Sequence, residues 1–258
     1  MNPKTKIIIL LSFLGCFLVS NASTTEPEPC SGYEKGTITL KNGKTRDAYI
    51  YIDYCNPHLF QMGLRTIDEK TYKKYAKGKK IKKKAIDKYK VKEIRSFVLD
   101  SGKEFRQVKY ANIFSQKNTD KLPRRQLLEV MADGKITIFK RGYRTRNGFI
   151  YKPVMDAVLA GGPDHVEFMR NNFEILYQKD KSKNPKNIRN ANLKSLFGDN
   201  PEVLQKFIDG HYSFRIEFQR EASFSANCDR AFMESLLEMV NDYNGTTQDA
   251  LTASYYQQ

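Results

Sequence analysis

Between residues 36 and 140 apolar and polar positions alternate in short runs, paired across a turn signal. Gly36–Leu40 and Ala48–Tyr54 flank Asn42-Gly43, Ser96–Leu99 and Glu104–Lys109 flank Ser101-Gly102, and Gln126–Met131 and Lys135–Lys140 flank Asp133-Gly134. A period of two with Gly and Asn at the turns predicts three β-hairpins. Phe149–Lys152 and Phe173–Lys179 read as further strands. Asp68 caps a predicted short helix, Glu69–Ala76, that stops at Gly78.

The period then lengthens. Leu193, Leu196 and Phe197 mark one helical face, ended by Gly198. Asn200-Pro201-Glu202 supplies an N-cap, a proline at the first helical position and an acid in the first turn, and Gly210 supplies the stop. A last helix is predicted over 227–244, with Phe232, Leu236, Leu237, Val240 and Tyr243 as its apolar stripe. Strands first and helices last predict an α+β fold, an antiparallel hairpin or meander sheet followed by a C-terminal helical segment. The expected boundaries are a β-rich domain over 30–180, a helical segment over 186–244 and a polar tail over 245–258. Lys179–Pro185 is the internal linker candidate; the helical segment either packs on the sheet or forms a subdomain.

One apolar run has neither period. Lys4 and Lys6 precede Ile7–Val19, and Ser20-Asn21-Ala22 follows. A charged start, an apolar stretch and a small-residue site form a secretory signal peptide over 1–22, with Ser23–Pro29 as an extended linker. The run is shorter than the roughly 20 apolar residues of a membrane span, so no span is expected in the mature chain. The alternative is a lipid anchor, because Phe13-Leu14-Gly15-Cys16 resembles a lipobox.

Charge changes the picture at one place. The net charge is +15, and residues 70–95 hold twelve Lys and Arg95 against Asp87 and Glu93. An electrostatic partner should therefore meet that segment, and Lys79, Lys80, Lys82, Lys83 and Lys84 are its densest part. Tyr72, Tyr75 and Tyr89 are interleaved. Lys with Tyr suits nucleic acid, but export makes anionic lipid head groups, lipopolysaccharide phosphates or acidic glycans the natural partners. The plainer reading is a solvated loop that aids solubility.

The chain carries no HExxH, CxxC, GxSxG, Walker A or GxGxxG pattern, and His58, His165 and His211 share no metal-ligand spacing. No catalytic, metal or cofactor residue is nominated. Asp164-His165 is read as a surface turn, and Asp199 and Glu202 as helix-capping acids. Of the four cysteines, Cys16 lies in the apolar run. A two-residue turn at Asn42-Gly43 places Cys30 opposite Cys55, a spacing that suits a disulfide. A three-residue loop instead gathers Ile38, Leu40, Ala48, Ile50 and Ile52 on one face and moves Cys30 opposite Tyr54. Export favours oxidation, so Cys30–Cys55 is the expected pair, with Cys228 left over.

The stretches GTITLKNGKTRDAYI, EIRSFVLDSGKEF, LLEVMADGKITIF, LKSLFGDNPEVLQKF and LLEMVNDYN together resemble exported proteins of Bacteroidota-type bacteria. In those, a GxIxxxNGxxxxGxI hairpin opens the mature chain and a helical tail closes it. The resemblance covers most of residues 33–244, and Ala48 stands near the place of the second glycine. It implies an envelope setting and carries over no activity. The expected function is therefore non-enzymatic binding of an envelope protein or an anionic surface. The rival is a secreted hydrolase whose carboxylates, such as Asp47, Asp53, Glu129 or Asp164, leave no motif.

Overall fold

The computed structural model describes residues 31–54, 56–111, 122–142, 173–180, 184–188, 191–212, 214 and 230–245. The strands are β1 (Ser31–Leu40), β2 (Thr45–Asp53), β3 (Gly63–Ile67), β4 (Asp87–Lys90), β5 (Ile94–Leu99), β6 (Glu104–Tyr110), β7 (Arg124–Ala132), β8 (Ile136–Gly142), β9 (Phe173–Lys179) and β10 (Lys186–Asn187). The helices are α1 (His58–Gln61), α2 (Glu69–Tyr75), α3 (Leu193–Phe197), α4 (Pro201–Ile208) and α5 (Arg230–Asn244). All ten strands join one sheet in the order β10-β9-β8-β7-β6-β5-β1-β2-β3-β4, and every neighbouring pair is antiparallel. The sheet is larger than expected. It gains β3 and β4 from the N-terminal half and runs on through β10, past the linker candidate.

The first hairpin takes the three-residue loop. Thr39 pairs with Thr45 and Ile38 with Arg46, while Leu40 N–H donates to the Lys44 carbonyl and Gly43 N–H to that of Leu40. Gly43 sits at φ 82°, where a side chain would be strained. The β5–β6 turn repeats this geometry: Leu99 N–H donates to the Lys103 carbonyl and Gly102 N–H to that of Leu99. The choice follows from burial. This register puts Ile38, Ala48, Ile50 and Ile52 on one face, and all four are buried.

That first face holds two cores. On the N-terminal half, Ile38, Ile50, Ile52, Leu64, Phe97, Phe105 and Leu127 cluster with Phe60 of α1. Phe97 stacks on Phe105 at 4.4 Å, and Phe60 meets Phe105 edge-on at 5.5 Å. Gln107 Nε2 donates to the Val91 and Ile94 carbonyls, which holds the short 3-10 turn Val91–Glu93 against the sheet. The sheet thus curls over its own face. On the C-terminal half, Ile136, Ile138, Phe173 and Ile175 pack against Phe197, Val203, Phe207, Phe232, Leu236, Val240 and Tyr243. The predicted stripe of α5 is therefore its buried side. On the opposite face, Val108, Tyr110, Leu128, Phe139 and Leu176 form a smaller cluster.

Polar contacts also fix the helices to the sheet. Asn244 accepts from Ile136 N–H at 3.0 Å and donates to the Ile136 carbonyl at 2.8 Å. A Cβ on Gly134 would overlap that Asn244 side chain, so this turn glycine serves close approach. Asp199 accepts from Lys135 at 2.9 Å, from Lys179 at 2.7 Å and from the Tyr243 hydroxyl at 2.8 Å. As expected, the cap of α4 comes from Asn200, whose side chain accepts from Val203 N–H. Asp199 is thus a cross-element anchor and not the capping acid expected for it.

Candidate anion-binding surface

The basic segment starts from a helix that the sequence delimits well. Asp68 accepts from Thr71 N–H at 2.7 Å and caps α2. Gly78, at φ 73°, allows Gly78 N–H to reach the Tyr75 carbonyl and Lys79 N–H to reach that of Lys74, the bonds of a Schellman ending. None of the residues of α2 is buried. Aromatic contacts hold it instead. Tyr72 stacks on Tyr49 with centroids 3.7 Å apart and planes at 10°. Tyr75 meets Tyr33 edge-on at 5.2 Å, and Tyr33 meets Tyr51 at 5.3 Å. Tyr49 and Tyr51 stand on the face of β2 opposite Ile50, so α2 docks outside the core.

This assigns the interleaved tyrosines a different job from base stacking. Tyr72 and Tyr75 bind the helix to β1 and β2, and Tyr89 accepts from Arg46 at 2.5 Å. The expected signal was present: Tyr72 and Tyr75 are three apart on one helical side, and Tyr49 and Tyr51 share one strand face. What the sequence does not show is that the two pairs meet.

With its tyrosines turned to the sheet, α2 presents its lysines outward. Lys70, Lys73, Lys74, Lys77 and Lys79, with Asp68 and Glu69, line an open concavity of about 600 Å³. Lys73 is tied to Glu69 at 2.8 Å, which holds the Glu69 carboxyl below its usual range and raises the Lys73 ammonium. The Asp68 carboxyl is lowered by its hydrogen bonds to Thr71. The chain continues through an irregular stretch with one 3-10 turn, Lys83–Ala85, and Lys79, Lys80, Lys82, Lys83 and Lys84 are all exposed.

Among the described residues, Lys70, Lys74, Lys77, Lys79, Lys80, Lys82, Lys83 and Lys84 make no ion pair. Some cations elsewhere find acids, while Lys41, Lys44, Lys92, Arg95 and Lys109 likewise make no ion pair among the described residues. Arg106 binds Glu104 and Asp133, Lys206 binds Asp242, and Arg141 binds Glu174 at 2.9 Å in a nearly dry setting. Arg141 also takes Gln126, beside a Tyr110 hydroxyl that burial pushes up to about 12. These polar groups are occupied by one another across neighbouring strands.

Among the described residues, Asp47, Asp53 and Glu129, three of the acids offered for a hydrolase, do not come together. Asp47 accepts from Thr37 on one sheet face, whereas the register of Phe105 with Glu129 puts Glu129 on the other. Asp53 lies six residues along β2 from Asp47, about 20 Å at strand rise, against roughly 5–9.5 Å for a glycosidase pair. Its carboxylate accepts from Asn56 N–H and shapes the turn after β2. His58 lies in α1, and His211 lies beyond α4 near Glu238. Asp164, His165, Cys16, Cys30, Cys55, Cys228 and residues 1–22 lie outside the described residues. No group of His, Cys, Asp and Glu fit to hold a metal occurs among the described residues, and no described helix is long and apolar enough to cross a membrane.

No family model matches the chain, and no curated protein or solved structure matches it.

Proposed function

We propose that this is an exported protein of a bacterial envelope that acts by binding, and that the Lys79–Lys84 run meets a phosphate-bearing lipid surface. The observation that carries this is the density of the run itself: five of the six residues 79–84 are exposed lysines, and none makes an ion pair among the described residues. Clustered unpaired ammonium groups raise the local potential, and an approaching anionic surface relieves their mutual repulsion. The occupied tyrosines count against a base-stacking surface. The separation of Asp47, Asp53 and Glu129 lends the hydrolase reading no support from these three acids. Export follows from the charged and apolar start, and an intact mass beginning at Ser23 is its expected signature. A lipid retained on Cys16 would replace it with the anchored form.

The test is sedimentation with vesicles. The protein should bind vesicles containing anionic phospholipid and not zwitterionic ones, and binding should weaken steeply with salt, because exposed charges are screened over about 8 Å at physiological ionic strength. Replacing Lys79, Lys80, Lys82, Lys83 and Lys84 by Gln should weaken the binding strongly and flatten its salt dependence. The melting point should stay nearly unchanged, since exposed substitutions usually cost under about 0.5 kcal/mol. Equal binding by that variant would overturn the proposal.

A further inference from the structure

The concavity on α2 goes beyond a diffuse positive surface, because two separate devices bring its lysines together. Lys70, Lys74 and Lys77 follow one another at i, i+4 and i+7, so the helical turn stacks them on one side. Lys79 arrives by a different route. The positive φ of Gly78 reverses the chain and ties Lys79 N–H to the Lys74 carbonyl at 3.1 Å. Of the two acids on the rim, Glu69 is paired with Lys73, while Asp68 caps the helix through Thr71 N–H and keeps its charge near Lys70 and Lys74, which leaves the lining at a net of +3. Four ammonium groups therefore border one open space of about 600 Å³ without an ion pair among the described residues. The scaffold beneath them is fixed by the Tyr72–Tyr49 stack and the Tyr75–Tyr33 contact, so the lysines' backbone positions are set before any ligand arrives.

We infer that this concavity is a subsite for one phosphomonoester, bound by Lys70, Lys74, Lys77 and Lys79. The inference deepens the proposed binding to a phosphate-bearing lipid and rests on that reading. The ligand class follows from charge and donor count. A phosphomonoester above its second pKa, about 6, carries close to two charges and three terminal oxygens. A diester carries one charge and two such oxygens. Four ammonium groups outweigh the one Asp68 carboxylate beside them and gain more from the first, since each lysine supplies several N–H donors on a flexible stem. The Lys80–Lys84 run then supplies long-range attraction, and the concavity supplies the choice of head group.

Two variants of the full mature chain separate these roles, K70Q/K74Q/K77Q and K80Q/K82Q/K83Q/K84Q. Gln keeps a helix propensity close to that of Lys, so α2 should persist. Each protein is titrated with phosphatidate vesicles and with phosphatidylglycerol vesicles of matched surface potential. The wild type should favour phosphatidate by about tenfold. The α2 variant should lose that preference while still binding both, and the run variant should weaken on both while keeping it. Inorganic phosphate, added against chloride at matched ionic strength, should shift the amide resonances of residues 68–79 in the wild type and not in the α2 variant. A wild-type preference near one, or a preference that survives in the α2 variant, overturns the subsite and leaves the lipid-binding reading standing. Phosphate shifts confined to residues 68–79 without binding to any vesicle would overturn lipid binding and leave the subsite in place.

Discussion

At Gly36 one missing methyl group allows β1 to lie against β5. Gly36 pairs with Leu99 on one side and Ala48 on the other, and a Cβ there would overlap the Val98 carbonyl oxygen and crowd the Leu99 Cα. Backbone, unlike a long side chain, cannot swing aside. Gly36→Ala should therefore lower stability by about 1–3 kcal/mol, the usual cost of overpacking, seen as a lower denaturant midpoint. Gly32→Ala is the control, because its added Cβ meets nothing within 4 Å; equal midpoints for the two would show that the strands yield. The opening Gly36, Ile38 and Asn42-Gly43 pattern was thus legible as a hairpin, but the reason for its first glycine lies in a strand 60 residues onward. Cysteine register was less legible. The ladder ends at Ser31 with Asp53, and the chain turns at once, since Asn56 N–H bonds back to the Asp53 carbonyl and carboxylate. Cys30 and Cys55 lie outside the described residues. The observed register is not the two-residue turn that set Cys30 opposite Cys55, so the pairing rests on export and oxidation alone. Non-reducing peptide mapping should recover Cys30 joined to Cys55, a crosslink worth roughly 3 kcal/mol for a loop of about 25 residues. Cys55 joined to Cys228, or free thiols throughout, would contradict it.

At the scale of elements, ends were easier to read than docking. Asp68, Gly78, Asn200, Pro201 and Gly210 delimit α2 and α4 by local chemistry, and the structure uses them so. Strands β3 and β4 escaped notice for a physical reason. β3 is five residues with Arg65 exposed, and β4 reads Asp-Lys-Tyr-Lys, without a buried residue. β4 is an edge, where exposed lysines discourage pairing with another chain, so its composition hides its conformation. α2 presents the opposite case, a helix whose limits were plain and whose attachment was not. Its hold on the sheet is the Tyr72–Tyr49 stack, with Tyr75 on Tyr33. Tyr72→Ala should cost about 1 kcal/mol, the usual worth of an aromatic pair, and should act locally. Amide exchange at residues 71–79 should accelerate while the amides of β5–β8 keep their protection. Uniform acceleration would mean that α2 is integral to the core after all. The same variant should blur head-group preference without removing net charge.

Across the whole molecule, the concentration of charge in residues 70–95 was visible in the sequence, but the pairing of the remaining charges was not. Asp199 is the clearest instance. It joins Lys179 at the end of β9, Lys135 at the start of β8 and Tyr243 on α5, and Lys179 also donates to the Leu196 carbonyl of α3. Those hydrogen bonds, from Lys179 first and then Lys135 and Tyr243, hold the Asp199 carboxyl far below the usual carboxylate range. The sign of the linkage follows. A carboxyl whose folded pKa is depressed binds its proton more readily in the unfolded chain, so its stabilisation is complete above the unfolded value, about 3.9, and is lost as pH falls toward the folded one. The side chain is 42% exposed, so solvent screening holds the effect to about 1 kcal/mol or less despite three partners. Asp199→Asn keeps the shape and one acceptor oxygen but removes the charge. Wild type should melt above this variant at pH 6, and the gap should narrow progressively below about pH 4 as the carboxylate takes up its proton. The loosening should appear where the anchor acts, with faster exchange in α5 and β8 than in β1 and β2. Parallel melting curves across that pH range would show that the helices are held by Asn244 and the apolar stripe of α5 alone.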